Sequence, residues 1–280
     1  YHSSEAYIAR LIARGYKVAI CDQMEDPALA KGLVKREVTR LVTPGAVTES
    51  SMLEESKNNY YACVFAENGS FGVSFCDIST GALCATCFDG AAAEEAVCSE
   101  LGAFSPAEVL LGGDALRAQL LKATLRERLR CCVDTAPDDQ FDEDMAVTAL
   151  RVQLGQTPAS LGMTDYPCAV RAVGALLRQL RRLQKNDLPQ VRALEFYMSG
   201  KFMGLDLTAR RNLELTQTLR SQEKRGSLLW VLDRTKTAMG GRLLRSWMER
   251  PLLSPAQIEK RLGAVEELVK DPQVKLIWTV

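Results

Sequence analysis

Hydrophobic residues in the first part of the chain change from a helical to an extended pattern. Apolar side chains recur at helical spacing between Ser4 and Ile12, and Gly15 stands where a helix C-cap belongs. Residues Tyr16 to Cys21 and Val34 to Val42 instead alternate in the manner of half-buried strands. The pattern predicts one helix followed by two strands.

A second region is predicted to begin near Asn59, after a polar linker from Glu49 to Asn58. Two apolar runs, Tyr60 to Glu67 and Ser70 to Asp77, flank an Asn-Gly pair that tolerates the positive φ angles of a type I′ turn. A third strand, Ala82 to Phe88, completes a meander. Helices and strands then alternate, which favours an α/β domain: Ala91–Gly102, Val109–Leu111, Asp114–Leu121, Cys131–Val133 and Val170–Leu183.

The third region, Lys201 to Leu253, is predicted to be mainly helical. Phe202 to Leu205 has the pattern of a short strand, and Asp206 or Thr208 can cap the helix that follows. Ser227 can cap a second helix, and a third begins near Gly240-Gly241. We expect Leu243, Leu244 and Trp247 on the inner face of the third helix, and Trp230 in the core of this region.

Composition excludes several classes of protein. The 280 residues include 35 basic and 35 acidic side chains, so nucleic-acid contact requires a local patch rather than a strong overall charge. Apolar runs stay below the ~18 residues that span a bilayer, which predicts no membrane segment. Because the first residue is Tyr1 and no signal peptide is visible, we expect a fragment of a cytoplasmic protein.

The nine cysteines are scattered through apolar runs and do not resemble a disulfide framework. Cys84 and Cys87 have a metal-like spacing, yet a zinc site needs about four ligands and His2 is the only histidine. We interpret these thiols as reduced core residues and predict no metal site.

Four basic residues lie close together near the second strand: Lys31, Lys35, Arg36 and Arg40. In a strand from Val34 to Val42, Arg36 and Arg40 would share one face and Lys35 would lie on the other. Two interpretations stay open. The cluster is either a solvated edge that resists aggregation or a surface for phosphate groups.

Three stretches carry a resemblance to a known family. "FMGLDLTARRNLEL", "GSLLWVLDRTKTAMGGRLLRSWMERPL" and "YHSSEAYIARLIARGYKVAICDQMEDPALAKGLVKREVTRLVTPG" resemble the MutS family of DNA mismatch repair proteins. The resemblance implies the end of a mismatch-recognition domain at 1–48, a ribonuclease H-like connector at 49–189 and the start of a helical lever domain at 190–280. Lys275 to Val280 depart from the family pattern. The expected fold class is therefore multidomain α/β.

The same resemblance implies a function. The family binds mismatched double-stranded DNA, dimerises, uses ATP with Mg and recruits MutL, and it favours phosphate contact at the basic cluster. Since the chain has no G-x-x-x-x-G-K-[ST] loop, we expect it to hold no cofactor and not to hydrolyse ATP. The family's aromatic-x-glutamate wedge would lie upstream of Tyr1. We expect MutL to bind the outer face of the meander and its loops, because antiparallel sheets commonly leave one face open.

Two alternatives remain. A ribonuclease H-like nuclease would place a first carboxylate on the opening strands and gather others around two metal ions. Asp77 is the candidate, with partners from Asp134, Asp138, Asp139, Asp142, Glu143 or Asp144. The other alternative is a non-enzymatic helical scaffold.

Overall fold

The computed structural model describes residues 4–25, 32–198 and 200–270. The chain divides into two compact units. The first comprises Tyr1–Glu54 and Asn58–Tyr197, and the second comprises Glu55–Lys57 and Met198–Val280. The first unit is mixed α/β and the second is mainly helical, so the predicted fold class is confirmed. The departure at Lys275 to Val280 lies outside the described residues.

The first unit opens with helix α1 (Ser4–Ile12) and an antiparallel pair of strands, β1 (Val18–Gln23) and β2 (Arg36–Val42). The pairing shifts by one residue, because Ile20 faces Arg40 while Cys21 faces Val38. Thr39 is the extra residue of this bulge. A bulge interrupts the regular alternation of side chains, so the two-faced pattern predicted for the whole strand does not hold.

A six-stranded mixed sheet forms the core of the first unit, in the order β7-β6-β3-β4-β5-β8. The antiparallel meander is confirmed, and Asn68 and Gly69 have positive φ angles of 52° and 82° at its first turn. Strands β6, β7 and β8 are added in parallel. The strands are β3 (Tyr61–Glu67), β4 (Ser70–Asp77), β5 (Ala82–Asp89), β6 (Glu108–Gly113), β7 (Cys132–Thr135) and β8 (Glu195–Phe196).

Four helices accompany this sheet: α2 (Ala93–Phe104), α3 (Gln119–Ala123), α4 (Glu143–Leu154) and α5 (Pro167–Gln184). The helix predicted at Asp114–Leu121 is wrong in extent. A 3-10 turn ends at Leu116, α3 starts at Gln119, and a π-helical turn, Thr124–Leu129, continues it. Leu121 and Leu125 are both fully buried, so the helix follows this apolar pair beyond the predicted end.

Helix α5 packs directly on the meander. A Cβ atom added at Gly72 would lie 2.0 Å from the carbonyl oxygen of Cys168, and the Ser74 hydroxyl donates to the carbonyl of Ala172 at 3.0 Å. Helix α2 contacts β4 and β5. Strand β3 is buried from Tyr61 to Ala66 without alternation. The expectation of an open outer face on the meander is therefore wrong, because helices pack on this sheet.

The second unit contains α6 (Leu207–Asn212), α7 (Leu228–Leu232), α8 (Ala238–Glu249) and α9 (Pro255–Lys270). The carboxylate of Asp206 and the hydroxyl of Ser227 accept backbone N–H bonds at the starts of α6 and α7, which confirms both predicted caps. The strand predicted at Phe202 to Leu205 is reduced to a single bridge between Phe202 and Leu252.

The predicted inner face of α8 needs correction. Gly241 and Arg245, one helical turn apart, are its buried residues, whereas Leu243 is 51% exposed. Leu243 lies about 200° around the helix from Gly241, so it cannot share that buried stripe. Trp230 is also exposed, at 49%, and does not belong to the core of the second unit. Throughout the described ranges, no helix combines the length and apolar character needed to cross a membrane.

Candidate nucleic-acid interface

The basic cluster on β2 is partly neutralised by its own neighbours. Lys35 pairs with Glu37 at 2.7 Å, and Arg40 pairs with Glu49. Hydrogen bonding and the opposite charge raise the pKa of Lys35 and lower the pKa of Glu37. Lys31 lies outside the described residues. Arg36 is exposed and takes part in no ion pair within the described part of the chain.

These pairings determine how available each residue of the cluster is to a phosphate group. The Lys35 pair is solvent-exposed, and such pairs contribute little to stability, so a phosphate can replace Glu37 at low cost. Arg40 is less available, because its side chain is only 24% exposed and Glu49 occupies its guanidinium. Arg36 is the residue of the described set whose charge is open to a ligand.

A buried carboxylate fixes the β1–β2 pair against the sheet. Glu108 begins strand β6 and is fully buried. One of its oxygens accepts the backbone N–H of Gly45 at 3.1 Å, and the other lies 3.5 Å from the ammonium of Lys17. A Cβ atom at Gly45 would come within 2.8 Å of Glu108 and of the Tyr61 ring, so glycine permits this close approach.

Lys17 serves two carboxylates, since its ammonium also donates to Asp134 on β7 at 2.7 Å. Desolvation lowers the pKa of Lys17, but the Asp134 hydrogen bond and the charges of Glu108 and Asp134 outweigh it and raise that pKa overall. The Gln179 amide bridges from Asp134 to the hydroxyl of Tyr61, at 3.3 and 3.4 Å. Burial, and next the charge of Glu108, raise the pKa of Tyr61, which keeps this hydroxyl protonated.

The end of helix α5 makes a second attachment to the same region. The Gln184 side chain donates to the carbonyl of Ala46 at 2.7 Å, and Lys185 donates to the carbonyl of Val38. The Asn59 amide donates to the carbonyl of Pro44 at 2.9 Å. The segment after β2 is thus attached to α5 and to the start of the sheet, and Lys185 reaches the strand itself at Val38.

Sequence patterns did not identify this junction. A single carboxylate at the start of an apolar strand, Glu108 before Val-Leu-Leu, is the one signal that could have found it. A buried carboxylate requires a partner, but the pattern gives no indication that the partner is Lys17, 91 positions earlier along the chain.

The nuclease alternative receives no support at its proposed centre. The Asp77 carboxylate is buried and accepts from the Asn58 amide at 2.7 Å, the Asn59 N–H at 3.2 Å, and the N–H and hydroxyl of Ser79 at 2.9 and 2.6 Å. Asp77 is therefore a turn residue with both oxygens engaged. No group of three or more potential metal ligands occurs in residues 4–25, 32–198 and 200–270.

The proposed carboxylate partners have other roles. Asp134 pairs with Lys17, Asp142 caps α4 by accepting from Met145 N–H, and Glu143 contacts Arg171 at 3.4 Å. The two cysteines with the metal-like spacing, Cys84 and Cys87, are both buried. Burial, and next the charge of Asp89, raise the pKa of Cys87 to about 12, so this thiol stays protonated.

Comparison with known proteins gives a consistent pattern along the chain. Family models match in order: MutS domain I at residues 1–51, MutS domain II at 59–192 and MutS domain III at 208–277. Curated relatives named DNA mismatch repair protein MutS include those of Acetivibrio thermocellus (42% identical over 267 residues, 95% of this chain) and Symbiobacterium thermophilum (44% over 276 residues, 98% of this chain). The chain spans 30% and 31% of the length of these two relatives.

Proposed function

The chain belongs to the MutS family, and on that premise we propose that it is part of a DNA mismatch repair protein that recognises mispaired duplex DNA and relays the state of bound ATP to MutL. The observation that carries the proposal is the unbroken order of three MutS domain models over most of the chain. A scaffold or a nuclease has no comparable support.

Each region has a part in this proposal. Residues 1–48 belong to the mismatch-recognition domain, 49–189 form the connector and 190–280 open the lever domain. Lys31, Lys35, Arg36 and Arg40 contact DNA phosphates, and Arg36 contributes most because its charge is unpaired in the described structure. Phosphate contacts carry no sequence information, so these residues position the duplex and do not select a mismatch.

The remaining activities belong to the full-length protein. It binds ATP and Mg, dimerises around DNA, recruits MutL and acts in the cytoplasm. The chain described above binds and relays; it does not catalyse. The contacts of Lys17 with Glu108 and Asp134 support a relay, because they join the strand pair to the connector sheet and their loss would leave the buried Glu108 carboxylate unpaired.

A binding titration tests the proposal on the chain itself. We expect weak, salt-sensitive binding to a labelled duplex, with a dissociation constant on the order of 10⁻⁴–10⁻⁶ M. Arg36→Gln should weaken binding to matched and mismatched duplexes equally and reduce the salt slope by about 1. Arg151→Gln removes an equally exposed charge on α4 and should change nothing. If the chain does not bind duplex DNA at low salt, its proposed DNA-contacting role is wrong.

A further inference from the structure

A second basic surface lies on the connector, on the segment from Arg117 to Arg130. This segment holds five cations and a single acid, Glu127, in a chain whose overall charge is zero. The five cations are exposed: Arg117, Lys122, Arg126, Arg128 and Arg130. Only Arg117 has an acidic partner, Asp114 at 3.9 Å. The other four take part in no ion pair within the residues that the structure describes.

The helical backbone of this segment determines how its cations are spaced. Helix α3 and the π-helical turn form one helical stretch from Gln119 to Leu129. Residues four apart lie near one another on a helix surface, with about 5–6 Å between their Cβ atoms, which places Lys122 and Arg126 close together. Arg130 follows the last helical residue as its C-cap, with a left-handed backbone. Leu121 and Leu125 directly precede the two helical cations and are fully buried, so they hold this helix on the core. The row therefore consists of two helical cations and a third, Arg130, at the helix end.

The fold connects the end of this row to the β1–β2 pair through β7 and Lys17. Arg130 lies two residues before Cys132, the first residue of β7, so at most about 7 Å of chain separates them. Two residues further, Asp134 bonds Lys17 at 2.7 Å, and Lys17 directly precedes β1. The row therefore ends near the start of β1, where Ile20 pairs with Arg40, whereas Arg36 pairs with Gln23 at the far end of β1, about 17 Å along the strand.

We propose that the row Lys122, Arg126 and Arg130 is a second contact surface for the phosphate backbone of duplex DNA, separate from the basic strand β2. It needs no base contacts, because phosphate recognition requires only positioned positive charge. Three acids oppose the surface: Glu127 within the segment, Asp114 beside Arg117, and Glu94, which accepts the backbone N–H of Leu121 at 2.9 Å. Five cations still exceed them. This inference rests on the proposed function, since it extends the DNA contact of the same unit.

The pair Arg126→Gln with Arg130→Gln tests this surface on the whole chain. We expect it to weaken duplex binding at 50 mM salt by roughly tenfold or more and to lower the salt slope by about 2, one unit for each lost phosphate contact. The matched control is Arg151→Gln with Arg182→Gln, two equally exposed arginines of the same unit. Unchanged thermal midpoints would show that both variants fold.

Three results would overturn the inference, and they are distinguishable. If the wild-type chain binds DNA and the variant Arg126→Gln with Arg130→Gln binds it as tightly as the control variant, the row does not contact phosphates. The proposed function is then unaffected. If the wild-type chain does not bind at all, its proposed DNA-contacting role fails as well. If Arg126→Gln with Arg130→Gln loses binding to poly-glutamate but keeps binding to duplex DNA, the surface recognises an acidic polypeptide instead.

Discussion

Lys17 contributes to stability mainly because it pairs with the buried carboxylate of Glu108. The carboxylate is fully buried, and the oxygen facing Lys17 has no hydrogen-bond partner. Removing the ammonium in Lys17→Met leaves this charge unpaired. We expect the free energy of unfolding of the first unit to fall by about 1–3 kcal/mol, measured by chemical denaturation.

The matched control for this change is Lys122→Met, which removes an exposed and unpaired lysine of the same unit. Surface substitutions of this kind usually change stability by less than about 0.5 kcal/mol. If both variants lose the same amount, the effect belongs to the loss of a lysine in general, and Glu108 does not depend on Lys17.

Asp233 gives a pH dependence to the second unit. Hydrogen bonds from Lys224 at 2.6 Å and from the Thr235 hydroxyl lower the pKa of its carboxyl from 3.8 to about 2. A carboxylate with a depressed pKa stabilises the fold above its unfolded pKa, and the stabilisation is lost as the pH falls through the folded pKa. The relevant window is therefore about pH 4 to 2.

The measurement is a carbon-detected NMR titration of the Asp233 carboxyl. We expect a midpoint near pH 2 in the chain and a return toward the ordinary value in Lys224→Met, because the largest single cause is removed. A midpoint near 4 in the unmodified chain would contradict the hydrogen-bonded arrangement.

Residue patterns identified some site residues better than others. The predicted caps Asp206 and Ser227 follow from local chemistry, since a short polar side chain bonds a nearby N–H. The pairing of Arg40 with Glu49 depends on how the chain turns after β2, and that of Lys17 with Glu108 depends on a contact between distant segments. Sequence reasoning located the cations of β2 but had no means of finding which of them were already paired.

At the scale of secondary-structure elements, the close contact between β4 and α5 gives a direct test of the fold. In Gly72→Ala the new methyl group would lie 2.0 Å from the Cys168 carbonyl oxygen, a backbone atom that cannot move without shifting the helix. Overpacking of this kind costs about 3 kcal/mol. We expect a marked drop in the thermal midpoint of the first unit, measured by circular dichroism.

Gly204→Ala is the corresponding control, because no atom lies within 4 Å of its added methyl group and its φ is not in the left-handed region. At a compatible position this change stabilises by about 0.4–1 kcal/mol. If Gly72→Ala is tolerated equally well, the close approach of α5 to the sheet is wrong.

Element prediction succeeded where the signal was local. The Asn68-Gly69 turn and the meander strands follow from turn chemistry and from apolar runs bounded by turn residues. The π-helical turn after α3 and the bulge at Thr39 were not predicted. The π-helical turn carries the fully buried Leu125, and tertiary packing of this kind is not visible in local periodicity.

The chain divides into two compact units. Residues 1–48 and 49–189 were predicted as separate domains, and both lie largely within the first compact unit, Tyr1–Glu54 with Asn58–Tyr197. We expect the segment 1–197, expressed alone, to unfold cooperatively and to be more stable than 55–197, which loses Lys17, Gly45 and Ala46 as partners of Glu108 and Gln184. Equal thermal midpoints for the two segments would contradict this.

The second unit should be less stable when it is expressed alone. Several of its large apolar side chains are exposed in the described structure: Leu213, Trp230, Val231, Met239, Leu243, Leu262 and Val269. Exposed apolar groups contribute little to folding and favour association. We expect the segment 198–280 to bind a hydrophobic dye and to lack a sharp thermal transition, whereas 1–197 should show the transition.

The most direct test of the central claim is a competition titration of the full-length protein that contains this chain, with labelled duplexes that differ only in one mispaired base. The account predicts that the full-length protein prefers the mismatched duplex by tenfold or more, and that the 280-residue chain, assayed in parallel, binds both duplexes equally. Equal binding of the two duplexes by the full-length protein would contradict the assignment to mismatch recognition.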